Sequence, residues 1–117
     1  MKIYLAGPMS GIPHFNYPAF NSAASFLREQ GNEVFNPAEY DIKTYGKDIS
    51  NPTGCAKIAA SEHGFDRRAA HKADLAWICD NADAIAMLPG WTNSSGARAE
   101  NALAVALNLH VIILGDL

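Results

Sequence analysis

Four short apolar runs, separated by stretches with helical periodicity, constrain the fold of this chain more than any other feature. The runs are Lys2 to Ala6, Glu33 to Phe35, Ala84 to Leu88 and His110 to Leu114. Between them, apolar residues recur at the three- and four-residue spacing of helices that pack on a sheet. Strands that alternate with helices favour a parallel sheet. We therefore predict one α/β domain over residues 1–117, flavodoxin- or Rossmann-like. We expect about four to five strands in the order 2-1-3-4, with helices on both faces.

Capping residues and chain breakers predict where the helices begin and end. Asn16 is a candidate cap for the first helix, which tolerates Pro18 in its first turn and should stop at Gly31. Asp66 is a candidate cap for a later helix whose buried side includes Ile78.

Residues 38–65 show no sustained periodicity, although a short helix from Ala56 to Glu62 fits part of the segment. A loop of this length in a small domain is typical of a functional lid or a disordered segment. We expect a mobile lid whose ligand contacts come from Tyr40, Tyr45 or Lys47.

Composition excludes several function classes. The chain has 49% hydrophobic and 18% charged residues, a net charge of −3 and no basic run, so we do not expect a nucleic-acid polymer as a partner. We expect no membrane association and no signal peptide, because no apolar stretch is long enough. Cys55 and Cys79 lack metal-ligand spacing and favour reduced thiols in a cytoplasmic protein. The four histidines are dispersed, and we expect neither a metal nor a cofactor.

A serine- and glycine-rich turn after the third apolar run is the first candidate for a ligand site. Ser94 or Ser95 can cap the helix that follows, and its free N–H groups can hold an anion. Glu100 falls in the second turn of this helix, where it can do chemistry near a bound ligand. The alternative is a capped surface helix with a solvated Glu100. In either case the residues expected to pack on the sheet are Ala99, Leu103, Ala106 and Leu107.

A second loop, from Gly7 to Gly11, should face this turn. Ligands of such sheets bind outside the carboxyl ends of the strands where the strand order reverses, here between the first and third strands. Gly7-x-x-x-Gly11 is not the dinucleotide fingerprint, and the chain has no Walker-type Gly-Lys-Ser/Thr. The glycines either let the backbone approach a ligand or only form a turn.

Asp74 and Trp91 each have two interpretations. Asp74 lies beside a buried helical face, where it can serve a site or form a structural hydrogen bond. Arg67 and His71 share its helical face, and an ordinary intrahelical pair explains that spacing equally well. Trp91 can stack on a base or sugar, or it can pack the loop.

Three collinear motifs resemble the nucleoside 2-deoxyribosyltransferase superfamily, namely Tyr4-Leu5-Ala6-Gly7-Pro8-Met9-Ser10-Gly11, Asp74-Leu75-Ala76-Trp77-Ile78 with Ala82-Asp83-Ala84, and Ser94-x-Gly96-x-x-x-Glu100-x-Ala102. Leu88-Pro89-Gly90-Trp91, before the last of them, resembles the pattern of its small uncharacterised branch from phages and bacteria. They span nearly the whole chain and fall on the expected elements.

The resemblance implies a glycosyl chemistry. Glu100 would be a nucleophile that attacks the anomeric carbon of a 2-deoxynucleoside or its 5′-monophosphate, kept ionised by the helix N-terminus. Asp74 would position the sugar or base and manage the proton. The implied substrate-binding residues are Gly7, Met9, Ser10, Gly11, Trp91, Ser94, Ser95 and Gly96. Water or a second base would complete hydrolysis or transfer.

Ser94 favours a nucleotide over a nucleoside, because the superfamily members that act on free nucleosides tend to carry Asp at this position. Ser10 stands where the monophosphate hydrolases carry Arg, which leaves Arg98 or Lys47 as candidate phosphate partners. The leading hypothesis is an N-glycosidase or deoxyribosyltransferase. The alternatives are a nucleotide-binding module without turnover and an interaction protein on the same fold. Because relatives complete their sites across subunits, we expect a homodimer or higher homo-oligomer.

Overall fold

A computed structural model, which describes residues 1–115, contains a four-stranded parallel sheet with five α-helices. Its strands are β1 (Lys2–Ala6), β2 (Glu33–Phe35), β3 (Ala84–Met87) and β4 (His110–Ile113). Its helices are α1 (Tyr17–Glu29), α2 (Pro37–Tyr45), α3 (Ala56–His63), α4 (Arg67–Asn81) and α5 (Ser95–Ala106). The sheet order is β2-β1-β3-β4 and every pairing is parallel, so the predicted fold class and strand order are confirmed.

Alternation of side chains along β1 produces the two faces of the sheet. Ile3 and Leu5 are fully buried in one core cluster with the apolar side of α1. Tyr4 and Ala6 point into a second cluster with residues of α4 and α5. The helices therefore cover both faces, as predicted.

The start of α1 differs from the capping prediction. Asn16 precedes the helix, but its backbone is left-handed with φ of 61° and its side chain caps nothing. Instead, Asn16 Nδ2 donates to the Pro8 carbonyl at 3.0 Å, which ties the helix start to the loop after β1. The helix ends at Glu29, and Gly31 follows with a positive φ of 91°.

The prediction of a long loop over residues 38–65 is wrong, because most of this segment lies in α2 and α3. The short helix predicted from Ala56 to Glu62 is confirmed as α3, whereas α2 was not predicted. Asn36 Oδ1 accepts from the Ala38 N–H at 3.0 Å, Pro37 opens the helix, and Gly46 ends it with φ of 74°. These are strong helix start and stop signals. In the sequence, Asn36-Pro37 also fits the end of a strand, which hides the helix start.

The connection between α2 and α3 is held against the loop after β1. The Gly54 carbonyl accepts from Gly11 N at 2.9 Å, and the Asn51 carbonyl accepts from His14 N at 2.8 Å. Gly54 has φ of 67°, and a Cβ there would overlap the Ile12 carbonyl. These contacts leave a docked segment in place of the expected lid.

The predicted helix caps at Asp66 and Ser94 are confirmed, but the residues on the buried face of α5 differ from the prediction. Asp66 Oδ1 accepts from Ala69 N at 3.2 Å, and Ser94 Oγ accepts from Ala97 N at 3.2 Å. The buried residues of α5 are Ala97, Glu100 and Ala104. Of the four residues expected to pack, Leu103 is half-buried, whereas Ala99, Ala106 and Leu107 are exposed. The helix turns its glutamate inward, because Glu100 has a buried partner.

Two further sequence expectations concern the environment of the protein. Among residues 1–115 no helix combines the length and apolar character required to cross a membrane. Cys55 and Cys79 are both free thiols.

Candidate active site

A cavity of about 230 Å³ opens at the carboxyl ends of β1 and β3, where the strand order reverses. Its walls come from the loop after β1, from the start of α5, and from inward faces of α2 and α4. The polar and charged residues that line it are Tyr4, Ser10, Asp41, Arg67, His71, Asp74, Asn93, Ser94, Ser95 and Glu100. The predicted position of a ligand site, between the two loops, therefore coincides with a cavity.

Glu100 is buried at the wall of this cavity and is held by Tyr4. The Tyr4 hydroxyl donates to Glu100 Oε2 at 2.7 Å, and only 6% of Glu100 is exposed. Burial, and then the neighbouring Asp74 carboxylate, raise the pKa of Glu100 to about 8, although the Tyr4 hydrogen bond acts in the opposite direction. The alternative of a solvated surface glutamate is wrong. The expectation that the helix N-terminus keeps Glu100 ionised is also corrected, because desolvation is the larger effect.

Asp74 reaches the same wall from α4. Burial, and then Asp41, raise the pKa of Asp74 to about 7. No ion pair links Asp74 to Arg67 or His71 within residues 1–115, so the intrahelical pair does not form. Asp74 instead lies close to Glu100. Two neighbouring carboxyl groups cannot both ionise freely, because their negative charges repel each other.

His71 adds a third side chain that could coordinate a metal ion to this pair of acids. One ligand atom from each of His71, Asp74 and Glu100 lies within 4.8 Å of the other two. An imidazole and two carboxylates together can coordinate a divalent transition-metal ion. The sequence expectation of no metal motif overlooks this grouping, because its members come from two helices. The same three groups can equally exchange a proton with a ligand.

The opening turn of α4 supplies the basic groups of the cavity. Arg67, His71 and Asp74 follow one another at helical spacing and all line it. Arg98 and Lys47, the two candidate phosphate partners, do not line it. The spacing of Arg67 and His71 relative to Asp74 was visible in the sequence, and it marked the cavity side of α4.

The start of α5 packs closely against α4. A Cβ on Gly96 would meet His71 Cε1 at 3.0 Å, so a glycine at this position lets the imidazole approach the first turn. Ser94 Oγ accepts the capping hydrogen bond, which leaves its proton available to a ligand. The turn thus combines free N–H groups, two serine hydroxyls and a nearby imidazole.

The other side of the cavity belongs to α1 and α2 and was missed by sequence reasoning. The Tyr17 hydroxyl donates to Asp41 Oδ2 at 2.9 Å, and Asp41 is 8% exposed. Burial raises the pKa of Asp41 to about 6, with the Tyr17 hydrogen bond opposing. Three phenylalanines line the cavity with Asp41, namely Phe15, Phe20 and Phe65. Asp41 is not among the residues predicted for the site, because the weak periodicity of its segment predicts a loop and not α2.

Residues 1–113 match the family described as Domain of unknown function (DUF4406). The chain belongs to this family. No curated protein and no solved structure matches the chain. The family description names no activity, so a function for this DUF4406 domain has to be argued from the cavity.

Most of the residues predicted for the site line the cavity, but two do not. Gly7, Met9, Ser10, Ser94, Ser95 and Gly96 are among the lining residues. Gly11 lies outside and forms a turn with φ of 83°. Trp91 packs against the second core cluster, which is the loop-packing alternative. Gly7 is also structural, because a Cβ there would lie 2.7 Å from Leu88 Cβ at the end of β3.

The expected lid contacts have other partners. Tyr40 packs on Phe35, with ring centroids 5.4 Å apart, and the Tyr45 hydroxyl accepts from Asp66 N at 3.0 Å. Neither Tyr40, Tyr45 nor Lys47 lines the cavity. An aromatic cluster continues behind Tyr4, whose ring stacks on Phe35 at a centroid distance of 5.4 Å and is tilted against Trp77 at 6.4 Å.

Proposed function

We propose that this protein cleaves or exchanges the N-glycosidic bond of a 2-deoxynucleoside 5′-monophosphate through a covalent Glu100 intermediate. The observation that carries the proposal is the buried Glu100 carboxyl group, fixed by Tyr4 at 2.7 Å beside Asp74 in a cavity. The collinear motifs of the resemblance support the same assignment from the sequence.

Tyr4 prepares Glu100 as a nucleophile. Its hydroxyl carries one proton, which is directed to Oε2, so Oε1 is the oxygen that can meet the sugar. The donated hydrogen bond favours the charged form of Glu100 and opposes the effect of burial. When Glu100 is ionised, its buried carboxylate has lost its water shell and is oriented for attack.

Asp74 is the proton carrier of the mechanism. Burial raises both pKa values, with Asp41 acting further on Asp74 and Asp74 acting further on Glu100, to about 7 and about 8. The pair therefore holds about one proton near neutral pH. This proton lies mainly on Glu100, and the reactive form is the one in which it has moved to Asp74. One carboxylate oxygen of Asp74 lies within 4.8 Å of one of Glu100. This short separation suits a covalent route. Enzymes that use water directly place their carboxyl groups about 6.5–9.5 Å apart.

The steps balance with these two acids. Glu100 Oε1 bonds to the anomeric carbon as the carbon–nitrogen bond breaks, and the electron pair leaves with the base. The proton of Asp74 passes to the departing base. Water then attacks the glycosyl ester, Asp74 accepts the water proton, and Glu100 returns as a carboxylate. A second base in place of water gives exchange.

The start of α5 is the proposed phosphate site. Free N–H groups of the first turn, the Ser94 and Ser95 hydroxyls and the Arg67 side chain can all donate to phosphate oxygens. All of these residues line the cavity. Arg67 thereby supplies the cation that Ser10 does not.

Release of free base from a panel of deoxynucleoside monophosphates, measured by chromatography, tests the proposal. Glu100→Ala should abolish release while nucleotide binding survives, because a lost covalent route costs several orders of magnitude in rate. Asp74→Asn should lower the rate by about 10²–10⁴-fold. The matched control is Asp80→Asn, an exposed acid on the same helix.

Intact-protein mass spectrometry adds a direct measurement. The unmodified protein should gain the mass of a deoxyribose phosphate during turnover, and Glu100→Ala should not. Full activity in Glu100→Ala would contradict the nucleophile assignment.

A binding module without turnover is the second candidate, and the raised pKa of Glu100 favours it, because a protonated acid is not a nucleophile. Calorimetry with the same panel separates the two candidates. Nucleotide binding without base release at any pH would support the module. The absence of both would leave an interaction protein.

A further inference from the structure

We infer that Asp41 selects the base of the substrate, favouring bases that present an exocyclic amino group over those that present a keto oxygen. This inference rests on the proposed function for the nucleotide as ligand, and it adds the chemical class of the base. It concerns the side of the cavity formed by α1 and α2, which the glycosyl chemistry of Glu100 and Asp74 does not use.

The cavity extends across both faces of the sheet. Glu100 and Asp74 belong to α5 and α4, on the face of Tyr4, whereas Asp41 belongs to α2, on the opposite face. A nucleotide with its phosphate at the start of α5 and its anomeric carbon at Glu100 therefore extends its base toward α2. Asp41 still lies close enough for its charge to raise the pKa of Asp74, so both acids border one continuous space.

The walls on this side suit a flat heterocycle. Phe15, Phe20 and Phe65 line the cavity, and Phe15 and Phe65 stand with ring centroids 6.3 Å apart. Aromatic side chains stack on nucleobases without reading their identity. Discrimination between bases must then come from the polar group among them, and Asp41 is that group.

One oxygen of Asp41 is committed and the other is open. Oδ2 accepts the Tyr17 hydroxyl at 2.9 Å, and Oδ1 accepts no hydrogen bond from the residues that the structure describes. An ionised carboxylate only accepts hydrogen bonds. An amino group satisfies Oδ1, whereas a keto oxygen would set two acceptors against each other in a buried place, and such unmatched groups are strongly rejected.

Matched nucleotide pairs test the inference. The deoxynucleoside monophosphates of cytosine and uracil differ in one amino-to-keto change, as do those of adenine and hypoxanthine. We expect the amino member of the accepted pair to have kcat/KM higher by about 10- to 100-fold, because a hydrogen bond to a charged group is worth that much. Equal values, or a preference for the keto member, would overturn the inference.

Asp41→Asn should remove most of this preference, because an amide can donate to a keto oxygen as well as accept from an amino group. The Tyr17 hydroxyl can still donate to the Asn oxygen, which protects the fold. Glu39→Gln is the matched control on the same helix, because Glu39 pairs with Arg28 at 2.6 Å and does not line the cavity. An amino preference that persists in Asp41→Asn would overturn the inference.

Two further measurements keep the test independent of folding and of catalysis. Tyr17→Phe retains the carboxylate and should keep the amino preference with a smaller ratio. Binding of each pair to Glu100→Gln by calorimetry repeats the comparison without turnover. Selective binding without base release would support Asp41 and reject catalysis, unselective base release would do the reverse, and the absence of all binding would reject both.

Discussion

Glu100 is a residue whose ionisation works against folding. Its pKa is raised to about 8, so between the unfolded value of about 4.3 and pH 8 the folded protein binds the additional proton. The free energy of unfolding should therefore fall as pH rises through this window, by at most about 1.4 kcal/mol per pH unit from this group. We expect Glu100→Gln to be more stable than the unmodified protein at pH 8 and equally stable near pH 4. Urea denaturation at several pH values checks this, and an unchanged difference across the range would contradict it.

The paired acids also predict the pH dependence of the reaction. The active form needs one proton on the pair, with Glu100 ionised and Asp74 protonated. Because Glu100 has the higher pKa, this is the less populated arrangement of that proton, which lowers the rate without moving the pH of its maximum. Since the pKa values are about 7 and about 8, kcat/KM should pass through a maximum between these values and fall on both sides. Initial rates of base release between pH 5 and 10 test the profile. A rate that rises steadily to pH 10 would show that Asp74 is not the acid.

Sequence reasoning identified Glu100 and Asp74 but not the residues that determine their charge. Local patterns place both acids near the carboxyl ends of strands, and helical spacing places Arg67 beside them. The hydrogen bond from Tyr4 joins residues 96 positions apart, and no local pattern encodes such a pair. Asp41 and Tyr17 meet for the same reason, through the packing of α2 on α1.

At the level of single elements, the first turn of α5 should determine whether the ligand carries a phosphate. Ser94→Asp keeps a good capping residue, so the helix should remain intact. Its new charge should weaken monophosphate binding by about 10-fold or more and shift preference toward free nucleosides. Calorimetry with a matched nucleoside and nucleotide measures the shift. Ser22→Asp, exposed on α1, controls for added charge, and equal effects of the two variants would contradict a phosphate site.

The connection between α2 and α3 depends on Gly54. Alanine there adds a strained positive φ and an overlap with the Ile12 carbonyl, whereas alanine at Gly46 adds only the φ cost. We expect Gly46→Ala to lower the free energy of unfolding by about 1–2 kcal/mol, and Gly54→Ala to lower it by more. Urea denaturation compares them. An equal decrease in both variants would mean that the segment around Gly54 moves to accommodate the added methyl group at no cost in stability.

Strand bounds were predictable within one residue because each strand is a short apolar run between breakers. The helix α2 was not recognised, since its low periodicity hid the cap-and-proline signal at Asn36 and Pro37. The buried face of α5 was misplaced for a different reason. The apolar spacing predicts that Glu100 is exposed. The structure buries it because Tyr4 on β1 donates a hydrogen bond to it.

For the whole molecule, the edge formed by α5 and β4 is the candidate surface for self-association. Val105 and Ile113 are 57% and 64% exposed there, and β4 is an edge strand of the sheet. Edge strands and apolar side chains of this kind are commonly covered by a partner. We propose a homodimer with twice the 12.6 kDa chain mass. Light scattering should show that mass, and Val105→Glu should yield a monomer, while Phe26→Glu on α1 should not. A monomer at high concentration would reject the proposal.

The aromatic cluster behind Tyr4 gives the molecule an optical property. Trp77 lies 6.4 Å from the ring that touches Glu100, and 5.1 Å from Phe35 between ring centroids. The chain has two tryptophans, and the other, Trp91, stands in the turn just before the start of α5. Replacing Trp91 with Phe would leave a single indole whose emission senses the field of the carboxyl pair. We expect the fluorescence of that indole in the unlabelled protein to change when a ligand fills the cavity or when its acids change charge.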